Sequence, residues 1–277
     1  MAGNAYATII CDNHAKWPNL QAEHGLAIWL EVGARHILFD TGQGTTFLHN
    51  ANALDIPLDK LDAIVLSHGH YDHTGGLALL MERCPRARIF MHPSALAERY
   101  SIRANGETRS IGMPDEIKNR LLESRERITW VTEPMEIFPD VWATGPIPRE
   151  FPEEGNENHF FLDPAGQTQD RIADDQALFI RSSAGVSVIL GCTHSGVANT
   201  LFFIGKLAGE VKRRLITGGF HLSAASTGGI QRAIAAVEAF GAEKIYPCHC
   251  SGEAFITEIS RLSPEFMQGS AGICLKI

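Results

Sequence analysis

No stretch of this 277-residue chain approaches the ~18 consecutive apolar residues of a membrane-spanning helix, so a membrane span is not expected. The opening residues, Met1-Ala2-Gly3-Asn4-Ala5-Tyr6, lack a charged region followed by an apolar one. A secretory leader is therefore not expected, and the reading is cytoplasmic. Positive charge is scarce: 24 Lys and Arg stand against 32 Asp and Glu, a net charge of -8. A nucleic-acid-binding surface has a basic footprint, so a nucleic-acid partner is not expected. An anionic small molecule is still allowed, because bound cations supply local positive charge. The six cysteines, at 11, 84, 192, 248, 250 and 274, are scattered and read as free thiols. Cys248-His249-Cys250 has one-residue gaps and no second pair, unlike a structural zinc site. Solenoid repeats and low-complexity tracts are absent. A chain with 44% hydrophobic and 20% charged residues is globular in composition and long enough to bury a core. We expect a single domain over residues 1–277; composition leaves the oligomeric state open.

What the chain does have is a dense local set of metal-binding side chains. Ser67-His68-Gly69-His70-Tyr71-Asp72-His73-Thr74-Gly75-Gly76 holds three histidines and an aspartate within six positions. It follows Ala63-Ile64-Val65-Leu66, an apolar run that reads as a short buried strand. Imidazole nitrogen and carboxylate oxygen suit zinc, iron or manganese. The alternating His68 and His70 can face one ion, and Asp72 and His73 are free to face a second.

Three later segments repeat the arrangement of an apolar run ending at a histidine. They are 186–196 with Gly191-Cys192-Thr193-His194, 215–222 with Gly219-Phe220-His221, and 244–252 with Cys248-His249-Cys250. Strand ends that gather at one sheet edge build a site. The candidate metal ligands are therefore His68, His70, Asp72, His73, His194 and His249. His221 can bind metal, donate a proton to a leaving group, or pack beneath the loop.

The His-x-His-x-Asp-His pattern resembles the metallo-β-lactamase superfamily, and Ile37-Leu38-Phe39-Asp40-Thr41-Gly42 resembles the strand and turn that precede it there. That resemblance implies an α/β fold: a four-layer αβ/βα sandwich with two divalent metal ions at one sheet edge, zinc first, iron or manganese as alternatives. It implies that Asp40 is a buried carboxylate orienting a metal-bound histidine, not a ligand itself. It also implies a late acidic residue bridging the metals. Gly191-Cys192 stands at that place in this chain. A Cys192 thiolate, His194 or water alone can fill the bridging role.

Gly191–Gly196, Gly219–Leu222 and Pro247–Gly252 join Asp12-Asn13, Glu23-His24-Gly25-Leu26, Gly145-Pro146-Ile147-Pro148-Arg149 and Asp174-Asp175-Gln176-Ala177-Leu178. Together they resemble the subgroup of 7,8-dihydropterin-6-methyl-4-(β-D-ribofuranosyl)-aminobenzene-5′-phosphate synthases. The implied activity is metal-dependent hydrolysis of a phosphorylated or other anionic metabolite, or a lyase-like step on a phosphorylated pterin precursor. Asp72 would orient the nucleophile, Asp40 would support it, and His221 would protonate the leaving group. His70 argues against a flavo-diiron oxidoreductase, which has a glutamate there. A catalytically silent binding protein on the same fold is the alternative from a different class.

Elsewhere, strands are expected over 6–11, 25–32, 36–40 and 88–92, and helices over Thr45–Ala53, 75–82, 94–100, Thr227–Phe240 and 254–262. The start of the helix at 75 is expected beside the metal loop, where its dipole favours an anion. Residues 101–175, with weak periodicity and a charged helical patch at 115–127, are expected to form a lid-like insertion over the site. Arg103, Arg109 and Arg149 in that stretch are candidates for holding a substrate anion. His92 reads as a loop histidine.

Overall fold

A computed structural model describes residues 5–155, 158–262 and 265–277. Two large sheets dominate. The first has seven strands in the order Cys274–Lys276, Ala5–Cys11, Ala27–Val32, Arg35–Phe39, Ala63–Val65, Arg88–Met91, Ile128–Trp130. The second has six, in the order Lys244–Cys248, Arg213–Gly219, Gly185–Leu190, Leu178–Ser182, Val141–Ala143, Met135–Phe138. In each, one portion is parallel: Arg35–Phe39 through Ile128–Trp130 in the first, and Gly185–Leu190 through Lys244–Cys248 in the second. Parallel neighbours end at the same edge, so their following loops lie together.

The layers follow from strand alternation. Ile37 and Phe39 point between the sheets, where they meet Leu178, Ile180, Ile189 and Leu215. Leu38 points the other way, into a core with Phe47, Leu80 and Leu121 from the helices Thr45–Ala53, Leu77–Arg83 and Asp115–Glu123. On the second sheet Val188, Leu190 and Ile216 face Leu201, Ile230, Val237 and Phe255 of the helices Val197–Ala208, Thr227–Phe240 and Glu253–Leu262. Both sheets are covered on both faces, which is why their strands read as continuous apolar runs. The result is the expected αβ/βα four-layer sandwich. Among the described residues, no helix is long and apolar enough to cross a membrane.

Several local expectations differ. Residues 94–100 form a 3₁₀ turn, Pro93–Leu96, and then the strand Tyr100–Ile102. Ala97 is extended and ends the turn, and Arg99 is drawn into a buried ion pair. The stretch 101–175 is divided. Ile128–Trp130 extends the first sheet, and Met135–Phe138 and Val141–Ala143 extend the second. The flanking pieces form a small sheet, Phe160–Phe161, Tyr100–Ile102, Thr108–Ser110, beside the histidines. The charged patch is helical over Asp115–Glu123 and 3₁₀ over Arg125–Arg127. The helix near 75 has its first amide engaged: Gly76 N–H donates to Gly42 O and Thr41 Oγ1. That helix start packs on the Thr41 turn.

Candidate metal centre

The histidines sit on loops at the common edge where the parallel strands end. Among the described residues, four of the seven non-glycine residues with positive φ lie there: Asp40 (58°), Thr193 (59°), His221 (48°) and His249 (53°). Each follows a buried strand within three residues and turns the chain sharply back. Left-handed backbone at non-glycine residues is held only where the surroundings fix it, and it gathers at functional sites.

Hydrogen bonds at the far ring nitrogens set the histidine tautomers. Asp40 is fully buried and accepts three bonds: from Ser67 N (2.7 Å), Ser67 Oγ (2.6 Å) and His73 Nδ1 (2.7 Å). Ser67 has spent its one hydroxyl proton on Asp40, so it accepts from His68 Nδ1 at 2.9 Å. His249 Nδ1 donates to Asn13 Oδ1 at 3.0 Å. His68 and His249 therefore carry their protons on Nδ1 and present bare lone pairs at Nε2; His73 also holds its Nδ1 proton against Asp40, and its Nε2 becomes a lone pair once a second proton leaves.

Those lone pairs converge. His73 Nε2 is 3.2 Å from His249 Nε2, and His68 Nε2 is 3.3 Å from His194 Nε2. His70 Nδ1 lies 2.9 Å from His68 Nε2. Two such nitrogens face each other stably only with a proton or a metal ion between them. A tetrahedral ion with metal–nitrogen bonds of about 2.0–2.1 Å separates its nitrogens by about 3.3 Å. The donor set is thus of a kind that can hold divalent metal. The carboxylate of Asp72 reaches the second group only, with Oδ2 3.6 Å from His249 Nε2, 3.7 Å from His73 Nε2 and 3.2 Å from His24 Nε2. Cys192 Sγ is 3.2 Å from His73 Nε2, and Cys250 Sγ is 3.4 Å from Cys192 Sγ.

The electrostatics agree. Burial and neighbouring imidazoles hold His68 and His70 well below the usual histidine range. Burial likewise pushes His249 down to about 4. His73 is the exception: burial opposes its charge, but the Asp40 and Asp72 carboxylates outweigh it and push the pKa up to about 9. One positive charge is favoured at that point, whether a proton or a metal ion carries it. Burial and the adjacent Cys250 sulfur raise the Cys192 thiol.

A segment 100 residues downstream locks the loops in place. Asp174 Oδ2 accepts from Gly69 N at 2.7 Å, and Asp175 Oδ2 from Ser195 N at 2.8 Å. Gln176 Nε2 donates to Leu66 O at 2.8 Å, and Gln176 N to Ser67 O at 3.0 Å. The fully buried Arg99 pairs with Asp174 and, at 3.0 Å, with Asp170. The motif Asp174-Asp175-Gln176 is therefore a brace between the two metal loops, a role its sequence did not disclose. His24, Asp12, Asn13 and Cys250 also belong to the centre without having been assigned to it. Only their place in the resembling motifs hinted at this.

Of the other candidates, His221 packs its ring 4.2 Å from that of His194, and its backbone N–H donates to Cys250 Sγ. Arg103 and Arg109 line a cavity of about 160 Å³ with Tyr71, Phe160, His194 and His221. Arg109 lies over the Tyr71 ring at 5.0 Å. Arg149 is elsewhere: it pairs with Glu153 at 2.6 Å and with the Arg171 carbonyl, in a separate surface cleft. His92 accepts from Ser94 N, outside the cluster. A larger apolar groove of about 660 Å³, between Val197–Ala208 and Thr227–Phe240, holds no cluster of imidazoles.

Residues 21–170 match the family described as the metallo-beta-lactamase superfamily. The chain belongs to the metallo-beta-lactamase superfamily. A superfamily structure described as a metal-dependent hydrolase superposes with a TM-score of 0.83 at 30% identity, covering 99% of each chain. Two proteins of Methanocaldococcus jannaschii are similar along most of their length. One, uncharacterised, is 33% identical over 267 residues, 95% of this chain and 97% of that protein. The other, a 7,8-dihydropterin-6-methyl-4-(beta-D-ribofuranosyl)-aminobenzene-5′-phosphate synthase, is 30% identical over 245 residues, 83% of this chain and 82% of that protein. This superfamily member is thus an enzyme-like sandwich with clusters able to hold metal at its loop edge.

Proposed function

We propose that this protein is a dinuclear metal-dependent hydrolase acting on a small anionic metabolite. The observation that carries the reading is the pair of imidazole contacts, His73–His249 and His68–His194, beside a pocket that His194, His249, Arg103 and Arg109 line. His68, His70 and His194 would hold one ion; His73, His249 and Asp72 the other. Zinc suits the donors best, with iron or manganese as alternatives. When bound, such ions polarise the bond under attack and make water nucleophilic near neutral pH.

The chain's own residues do the rest. Asp40 fixes His73, and through Ser67 it fixes His68, so neither imidazole reorients during turnover. Asp72, shared between His24 and the second group, accepts a hydrogen bond from the attacking water and aims it. His221, at the cavity wall beside His194, supplies the leaving group's proton. Arg109 and Arg103 neutralise the substrate's charge. A cavity of about 160 Å³ admits a reacting anionic head group, whereas whole small-molecule sites run to roughly 300–1,000 Å³. The remainder of the substrate would lie across the small sheet Phe160–Phe161, Tyr100–Ile102, Thr108–Ser110.

A second reading is a synthase-type reaction on a phosphorylated pterin precursor, favoured by the 30% identical relative of that name. The test is hydrolysis of bis(p-nitrophenyl) phosphate and of phosphomonoesters with added zinc or manganese. We expect turnover that a chelator abolishes and the metal restores, and that His68→Ala and His70→Ala lose. Unchanged turnover in both variants would overturn the metal-dependent reading. Metal-dependent elimination without hydrolysis would favour the synthase reading.

A further inference from the structure

We propose that the Cys192 sulfur is the ligand shared by the two metal ions, in place of the acidic bridge expected from the family resemblance. The inference rests on the dinuclear reading above and deepens it.

The case is geometric. The ligand atoms of His68, Cys192 and His194 all lie within 4.8 Å of one another, and so do those of His73, Cys192 and His249. Cys192 alone is common to both groups among the described residues. The Asp72 carboxylate joins His24 and His249 on the second side, and among the described residues no such set unites it with His68 or His194. Cys192 follows the strand Gly185–Leu190, is buried, and stands where the chain's halves meet. Its neighbour Gly191 has no room for a side chain: a Cβ there would lie 2.3 Å from Ser67 Cβ. The strand end is thereby pressed against the loop that carries His68, which fixes the sulfur between the imidazole pairs.

One S–H donor lies beside this sulfur. Cys250 donates its S–H toward Cys192 Sγ at 3.4 Å, and the His221 N–H in turn donates to Cys250 Sγ. The relay thus brings one S–H, and no second carboxylate, to the Cys192 sulfur. On metal binding the Cys192 S–H bond breaks heterolytically: the sulfur keeps the electron pair and one proton leaves to solvent. A thiolate bridge with imidazoles selects soft and borderline ions such as zinc, iron(II) and cobalt(II) over magnesium.

Cobalt(II) titration of the chelated full-length protein tests this by absorption spectroscopy. Wild type is expected to bind two equivalents, with visible d–d bands and a near-ultraviolet sulfur-to-cobalt charge-transfer band. Cys192→Ser should lose the charge-transfer band and weaken the second equivalent by more than ~100-fold, since loss of an outer-sphere partner alone costs 10–100-fold. Cys192→Asp, which restores an acidic bridge, should bind two equivalents without the charge-transfer band and shows that the position tolerates change. Cys250→Ser should keep the band. Two bound equivalents in wild type with no charge-transfer band, or an undiminished band in Cys192→Ser, overturns the proposal while leaving the dinuclear reading intact. No cobalt bound to wild type overturns both.

Discussion

Replacing Asp40 by Asn changes one oxygen into an NH₂ group and nothing else in shape. The backbone tolerates it, because Asn accepts positive φ as readily as Asp and Asp40 sits at 58°. The hydrogen bonds do not. The Ser67 backbone N–H, at 2.7 Å, is a fixed donor and will keep the amide oxygen. The new NH₂ then faces Ser67 Oγ and His73 Nδ1, which now stand at 2.6 and 2.7 Å from an acceptor. Ser67 can rotate its hydroxyl away. His73 must either lose its bond or move its proton to Nε2, the atom 3.2 Å from both His249 Nε2 and Cys192 Sγ. A metal ion must then expel that proton and force two N–H groups together. A hydrogen bond to a charged group contributes about 1.5–3 kcal/mol. Its loss corresponds to about a 10–100-fold fall in metal affinity, the range expected when a ligand's supporting carboxylate is removed. The assay is competition against a chromophoric chelator near neutral pH, with circular dichroism confirming the fold. An Asp40→Asn variant that binds two ions with wild-type affinity would refute both the tautomer assignment and the pairing of lone pairs built on it.

Five further outcomes follow from the structure. His73, held up to about 9 by Asp40 and Asp72 against burial, must release a proton to a metal. Affinity at the second group should therefore rise at least tenfold per pH unit up to about pH 9, more steeply if the Cys192 proton leaves as well, and a flat chelator-competition profile would exclude this. In chelated protein the same shift stabilises: its folded pKa exceeds the ordinary 6.5, so up to ~3 kcal/mol is present in full below about pH 6.5 and is lost as pH rises through 9. Denaturant midpoints of the chelated protein at several pH values test that sign. Arg99→Met strands the buried Asp170 and Asp174 and should cost about 3–5 kcal/mol in urea unfolding; a loss under ~1 kcal/mol would mean the pair is not sustaining the brace. In Gly69→Ala a Cβ would sit 2.2 Å from the Ala95 carbonyl oxygen, so the metal loop must shift, and elemental analysis should find less than the wild-type metal content. Arg109→Ala should raise KM for an anionic substrate about tenfold with metal content unchanged; an unaltered KM would remove Arg109 from the anion site.

How much of this was legible in the chain depends on how local the signal is. His68, His70, Asp72 and His73 crowd into one loop, so their chemistry is visible without a fold. The strands behind them are buried on both faces and show as apolar runs. Arg149 and Arg109 are chemically the same residue, and only the path of the chain sends one to a surface cleft and the other to the histidine pocket. Residues 128–143 hold strands of three or four residues, too short to carry a period of two, so their place in the two sheets was hidden. The brace Asp174-Asp175-Gln176 acts on Gly69, Ser195 and Leu66, contacts that exist only once the two halves of the sandwich have closed.

On the proposed dinuclear reading, that closure makes the centre one unit and not two adjacent ion sites. Asp40 holds His73 directly and His68 through Ser67, so one carboxylate supports a ligand in each group. Asp174 and Asp175 tie the loop of Gly69, which carries ligands of both groups, to the loop of Ser195 from a single segment. Ordering one ion's ligands therefore orders part of the other's, and the first ion bound offsets some of the cost of the second. Loading should be positively coupled, with the coupling reduced in Asp40→Asn, because the shared support is what transmits it. Independent loading of the two ions in wild type would mean that the common carboxylate holds the loops without linking them.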